Sequence, residues 1–166
     1  MMRTNGFTLV ETLVAVAILS ILMLGVAQVT VYELNLERRN RAITEVETAQ
    51  NDVLYQVAQS VRNASAITLP TAAATTTSLT ISSNISAENP TNIALASGAV
   101  TIKKGVTVAV PITAPNVTVT ELTFQNVTAS STKGAVRTKL TVSYTNPSGQ
   151  NNMSYATTTY ITTNLR

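Results

Sequence analysis

The sequence predicts an α+β protein in which a long N-terminal α-helix, transmembrane in its first half and amphipathic in its second, packs on a C-terminal antiparallel β-sheet head. Three observations predict it. Residues 7–31 are apolar except for Glu11, Gln28 and a few hydroxyls. Residues 32–66 contain no Pro or Gly and repeat apolar residues at steps of three and four. From Leu79 the apolar period shortens to about two residues, the period of a strand. The expected organisation is a leader over 1–6, a helix over 7–66, a linker over 67–78 and a β-rich head over 79–166.

The leader, MMRTNG, holds one base, Arg3, and ends at Gly6. At about 1.5 Å per residue the 7–31 segment spans about 37 Å, more than a bilayer core of about 30 Å. Glu11 lies five residues into that span. An acid in such a segment costs about 2.5–3.5 kcal/mol on insertion scales, so it calls for a partner. Cutting the chain after Gly6 supplies one, because Phe7 then carries a free α-amine one helical turn before Glu11. The carboxylate pairs with that amine or with a neighbouring subunit's. The second arrangement also fixes axial register, the best-attested use of a buried ion pair.

The run Gly6-Phe7-Thr8-Leu9-Val10-Glu11, followed by an unbroken apolar helix, resembles the class III leader and N-terminal helix of type IV pilins and pseudopilins. The resemblance implies cleavage between Gly6 and Phe7 by a prepilin peptidase, N-methylation of Phe7, and assembly into a helical filament. Phe7, Thr8, Leu9 and Glu11 are its implied assembly residues, with Glu11 pairing a neighbour's N-terminal amine. Implied partners are other pilins, a platform membrane protein and an assembly ATPase. The implied location is the cytoplasmic membrane as a single-pass precursor, then a cell-surface pilus or an envelope-spanning pseudopilus. Two other readings are an ordinary signal-anchor and a cleaved secretory signal ending at Gly25-Val26-Ala27. Neither has a use for Glu11.

The chain departs from many pilins in two ways. It has no proline before Pro70, so the melted helical segment of several pilus filaments is not carried over, and it has no cysteine to close a C-terminal loop. The first departure favours a minor pilin or pseudopilin. Val61-Arg62-Asn63-Ala64, the long β-region and the ending Tyr160-Ile161-Thr162 are similar to minor pseudopilins of the J/W type.

Composition narrows the function. Charged residues make up 11 % and aromatics 4 %, which with abundant Thr and Val suits a secreted β-rich module better than a cytosolic enzyme. Losing Arg3 with the leader leaves ten bases against eight acids and no dense basic patch, so nucleic acid is a weak, salt-dependent alternative partner. Arg3 on the short side of the helix places the N-terminus in the cytoplasm, while Arg38, Arg39 and Arg41 pull the other way. There is no His or Cys, which removes a Ser-His-Asp triad and a thiol nucleophile. Beyond the helix only Glu88 and Glu121 are acidic, too few for a calcium site. No catalytic, metal or cofactor residue is expected. The alternative in another class is a monomeric, membrane-anchored binding or adhesion module, which would tolerate Glu11→Val.

Along the helix, Ile43, Val46, Ala49, Val53, Val57, Val61 and Ala64 form the expected apolar stripe, so residues 8–66 read as one rod of about 85–90 Å. Leu69-Pro70 ends it, since the residue before proline avoids helical geometry. Strands are expected near 79–83, 92–96, 99–103, 106–110, 117–124, 136–144 and 153–162. The clearest is Val136–Tyr144, with Val136, Thr138, Leu140, Val142 and Tyr144 inward and Arg137, Lys139, Thr141 and Ser143 outward. Lys104-Gly105 reads as a hairpin turn, and Asn146–Asn152 as the loop joining the last two strands.

Overall fold

A computed structural model of the chain describes residues 8–129, 134–145 and 154–165. One long helix and two antiparallel sheets confirm the α+β class. Helix α1 runs over Leu9–Arg62, and the chain divides into two compact units, Met1–Arg38 and Arg39–Arg166. In the first unit no described side chain is buried.

The second unit holds the core. Val46, Val53, Val57 and Val61 of α1 are fully buried and share one apolar cluster with Leu79, Ile93, Val100, Phe124, Leu140 and Val142. The stripe read from the sequence is thus the buried face, though Ile43 at its start is only half-buried. On the outer side Arg41 and Glu45 pair at 2.8 Å, one turn apart.

The helix stops at Arg62, four residues short of the expected end, and strand β1 (Ala64–Leu69) follows at once. Pairing decides this. β1 lies antiparallel to β3 (Ser78–Ser83), and the Asn84 side chain donates to the Asn63 carbonyl at 3.2 Å, satisfying one acceptor that the broken helix leaves. The segment expected as a linker, 67–78, therefore carries the second half of β1 and the two-residue strand β2 (Thr75–Thr76).

The first sheet has the order β1-β3-β4-β5-β6, with β4 over Thr91–Ala96, β5 over Ala99–Lys104 and β6 over Val110–Pro111. The expected strand at 106–110 shrinks to β6, because Val106 and Val108 are 101 % and 84 % exposed and have no sheet face to cover. Alternation there reports β-propensity without burial. Gly105 makes the turn after β5: its φ is +56°, its N–H donates to the Pro90 carbonyl at 2.9 Å, and a Cβ would collide with the Ala87 carbonyl oxygen.

The second sheet has the order β2-β7-β8-β9, with β7 over Val117–Asn126, β8 over Ala135–Tyr144 and β9 over Ala156–Asn164. β7 changes phase halfway: Val117 and Val119 face inward, then Leu122 and Phe124 do. A bulge between Val119 and Glu121 absorbs the extra residue and keeps both halves on the core. Along β8 the predicted inward and outward sets are the observed ones, with Tyr144 half-buried against the core. The last two strands pair antiparallel as expected; the loop residues 146–152 between them lie outside the described residues.

Candidate assembly site

Of the residues expected to carry function, Thr8, Leu9 and Glu11 are described, whereas Gly6 and Phe7 lie outside the described residues. Thr8 sits just before the first helical residue, and its hydroxyl accepts the backbone N–H of Glu11 at 3.3 Å. Its carbonyl starts the helical ladder by accepting the Thr12 N–H at 3.2 Å. Thr8 is therefore the N-cap and Glu11 the third helical residue. This role was readable from the sequence, because Thr-x-x-Glu is the capping-box pattern. The bond observed uses the backbone of Glu11. Its carboxylate forms no hydrogen bond or ion pair among the described residues, and it sits in the first turn, where the helix dipole favours a negative charge.

Beyond Glu11 the helix surface suits an apolar medium on all sides. Leu9, Leu13, Ile21, Met23, Leu24 and Val29 are each more than half exposed. The hydroxyls do not break that surface. Thr12 donates to the Leu9 carbonyl at 2.9 Å, Ser20 to Val16 at 2.8 Å and Thr30 to Val26 at 3.0 Å. Each buries its donor in the helix's own backbone, so transfer into lipid or among other helices leaves none unpaired. α1 is long and apolar enough to cross a membrane. Glu11 is then the one charged side chain on the described part of the predicted 7–31 span.

Residues 1–27 match the family model described as the prokaryotic N-terminal methylation motif. Comparisons with curated proteins and with solved structures give no match. The N-terminus is the class III prepilin leader of type IV pilins and pseudopilins, and the single long helix with antiparallel sheet has the α+β architecture of pilins. The motif supports a structural subunit that assembles with other pilins after processing by a prepilin peptidase, rather than an enzyme. It ends at residue 27 and so does not bear on the J/W subclass.

Proposed function

We propose that the chain is a pilus or pseudopilus subunit made as a single-pass precursor in the cytoplasmic membrane, N-terminus inside. Prepilin peptidase removes residues 1–6 by cutting between Gly6 and Phe7, and methylates the new Phe7 amine. A platform membrane protein and an assembly ATPase then draw the subunit into a helical filament whose core is the apolar half of α1. Glu11 pairs there with the Phe7 amine of a neighbour; burial of apolar side chains supplies cohesion and the ion pair supplies register.

The observation that carries this reading is a carboxylate with no partner among the described residues, in the first turn of an apolar helix whose described residues 9–34 are all exposed. In lipid or among apolar helices that charge is costly alone and is neutralised by an amine. The test is the intact mass and N-terminal sequence of the protein from the sheared surface fraction and from the membrane. A start at methylated Phe7 is expected. A start at Gln28, or retention of Met1, overturns the proposal.

A further inference from the structure

The outer face of the β7–β8–β9 sheet carries an arrangement of side chains separate from the residues of the proposed assembly site. Register places Thr123, Lys139 and Tyr160 side by side across the three strands, with Gln125, Arg137 and Thr162 in the adjacent row. Their strand neighbours Phe124, Thr138 and Leu140 point to the core and are buried, so these six share the opposite face. With strands about 4.8 Å apart and alternate residues about 7 Å apart, the patch is about 10 Å by 7 Å.

Three features of this face select a ligand. Tyr160 is 62 % exposed on the edge strand β9, an aromatic ring on a face otherwise of hydroxyls, amides and charges. The C–H face of a sugar ring fits the electron-rich face of such a ring. Thr162 beside it on β9, and Thr123 and Gln125 two strands away on β7, offer donors and acceptors suited to the hydroxyls of successive sugars. Charge decides the rest. Lys139 is committed to Glu121 at 2.6 Å, whereas Arg137 is exposed and has no ion pair among the described residues. The face therefore has one surplus cation, of the type that binds a carboxylate in two parallel hydrogen bonds. One cation beside a carboxylate does not make the basic track that a phosphate backbone requires.

We propose that this face binds an anionic polysaccharide bearing carboxylates, with Tyr160 stacking on a sugar ring and Arg137 pairing with an adjacent uronate. The site is built wholly from β7, β8 and β9, so a Glu11→Val chain keeps it.

The test is calorimetric titration of the full chain in polyoxyethylene detergent, which has no sugar headgroup, with polygalacturonate, neutral dextran and single-stranded DNA. Polygalacturonate is expected to bind. Arg137→Gln weakens it about tenfold and removes the preference over dextran, since the charge-assisted pair is what discriminates. Tyr160→Ala weakens both glycans about tenfold, and Tyr160→Phe restores them to within about twofold, because stacking needs the ring and not the hydroxyl. Both side chains are exposed, and unchanged melting of each variant shows that the head is folded. The proposal is overturned by no polygalacturonate binding, by binding indifferent to both substitutions, or by tighter binding of DNA through the same residues.

Discussion

The Thr8 hydroxyl accepts the backbone N–H of Glu11 at 3.3 Å, so the cap uses the peptide nitrogen of Glu11 and leaves its carboxylate without a partner among the described residues. Cap and charge are separable. Glu11→Val preserves the N–H and the cap while removing an ionised group that costs about 2.5–3.5 kcal/mol to insert. Membrane insertion is expected to hold or improve, and recovery in the sheared filament fraction to fall steeply. Normal filament yield from the Glu11→Val chain would refute the assembly role.

Thr8→Ala makes the converse change. It leaves the carboxylate and removes the hydroxyl acceptor, which costs about 1 kcal/mol at a helix N-cap. Amide exchange at Val10 and Glu11 is expected to accelerate, with Thr8→Ser restoring protection. Equal exchange in the Ala and Ser variants would show that Thr8 does not hold this turn.

The apolar half of α1, its buried stripe and strand β8 were legible because each follows a local period, and a half-buried helix or strand cannot hide it. The boundary at Arg62 was not. Val61 and Ala64 are three apart and both buried, as in a continuing helix, yet Ala64 is the first residue of β1. Which structure Ala64 joins is settled by its pairing with Ser83, a contact that no local pattern announces. β2 is hidden for the same reason: Thr75 and Thr76 form a strand because Gln125 and Phe124 pair with them. At the N-terminus Glu11 stood out by polarity alone, whereas the cap at Thr8 needed the Thr-x-x-Glu spacing to be noticed. The outer-face cluster that includes Tyr160 depends on three-strand register, which alternation along a single strand does not supply.

Asn126 joins three segments from a buried position. Its Nδ2 donates to the Pro70 carbonyl at 2.9 Å, and its Oδ1 accepts the Thr128 N–H at 3.1 Å and the Thr128 hydroxyl at 2.5 Å. The Thr128 oxygen in turn accepts the Ala135 N–H at 2.9 Å, fastening the start of β8. Asn126→Ala strips partners from buried groups, and each group left unsatisfied costs about 1–3 kcal/mol. Denaturant unfolding is expected to show a loss at least that large. A change below about 0.5 kcal/mol, typical of a surface site, would mean the network is not structural.

Gly105→Ala tests the turn after β5. A positive φ for a non-glycine residue costs about 1–3 kcal/mol, and the collision with the Ala87 carbonyl adds to it. A fall in head stability at or above that range is expected. Gly25→Ala is the control: a Cβ there meets nothing within 4 Å, and helix propensity favours Ala by about 1 kcal/mol. Equal effects of the two substitutions in the unassembled chain would remove the special role of Gly105.

The Lys139–Glu121 pair gives the head an alkaline signature. The hydrogen bond to Glu121 is the main cause that raises the Lys139 ammonium above its ordinary pKa of 10.5; partial desolvation opposes it, and the charges of Glu121 and Tyr160 assist. A basic group whose pKa is raised on folding adds stability that is fully present below the unfolded value. That stability is lost as pH rises through the folded value. The window therefore opens near pH 10.5 and extends above it, leaving neutral pH on the plateau. Both side chains are partly exposed, so solvent screening keeps the effect small. Lys139→Met is expected to lower the melting temperature slightly at pH 7 and to converge on the unsubstituted chain as pH climbs past that window. A difference between the two curves that stays constant through it would show that the pair contributes packing and no charge.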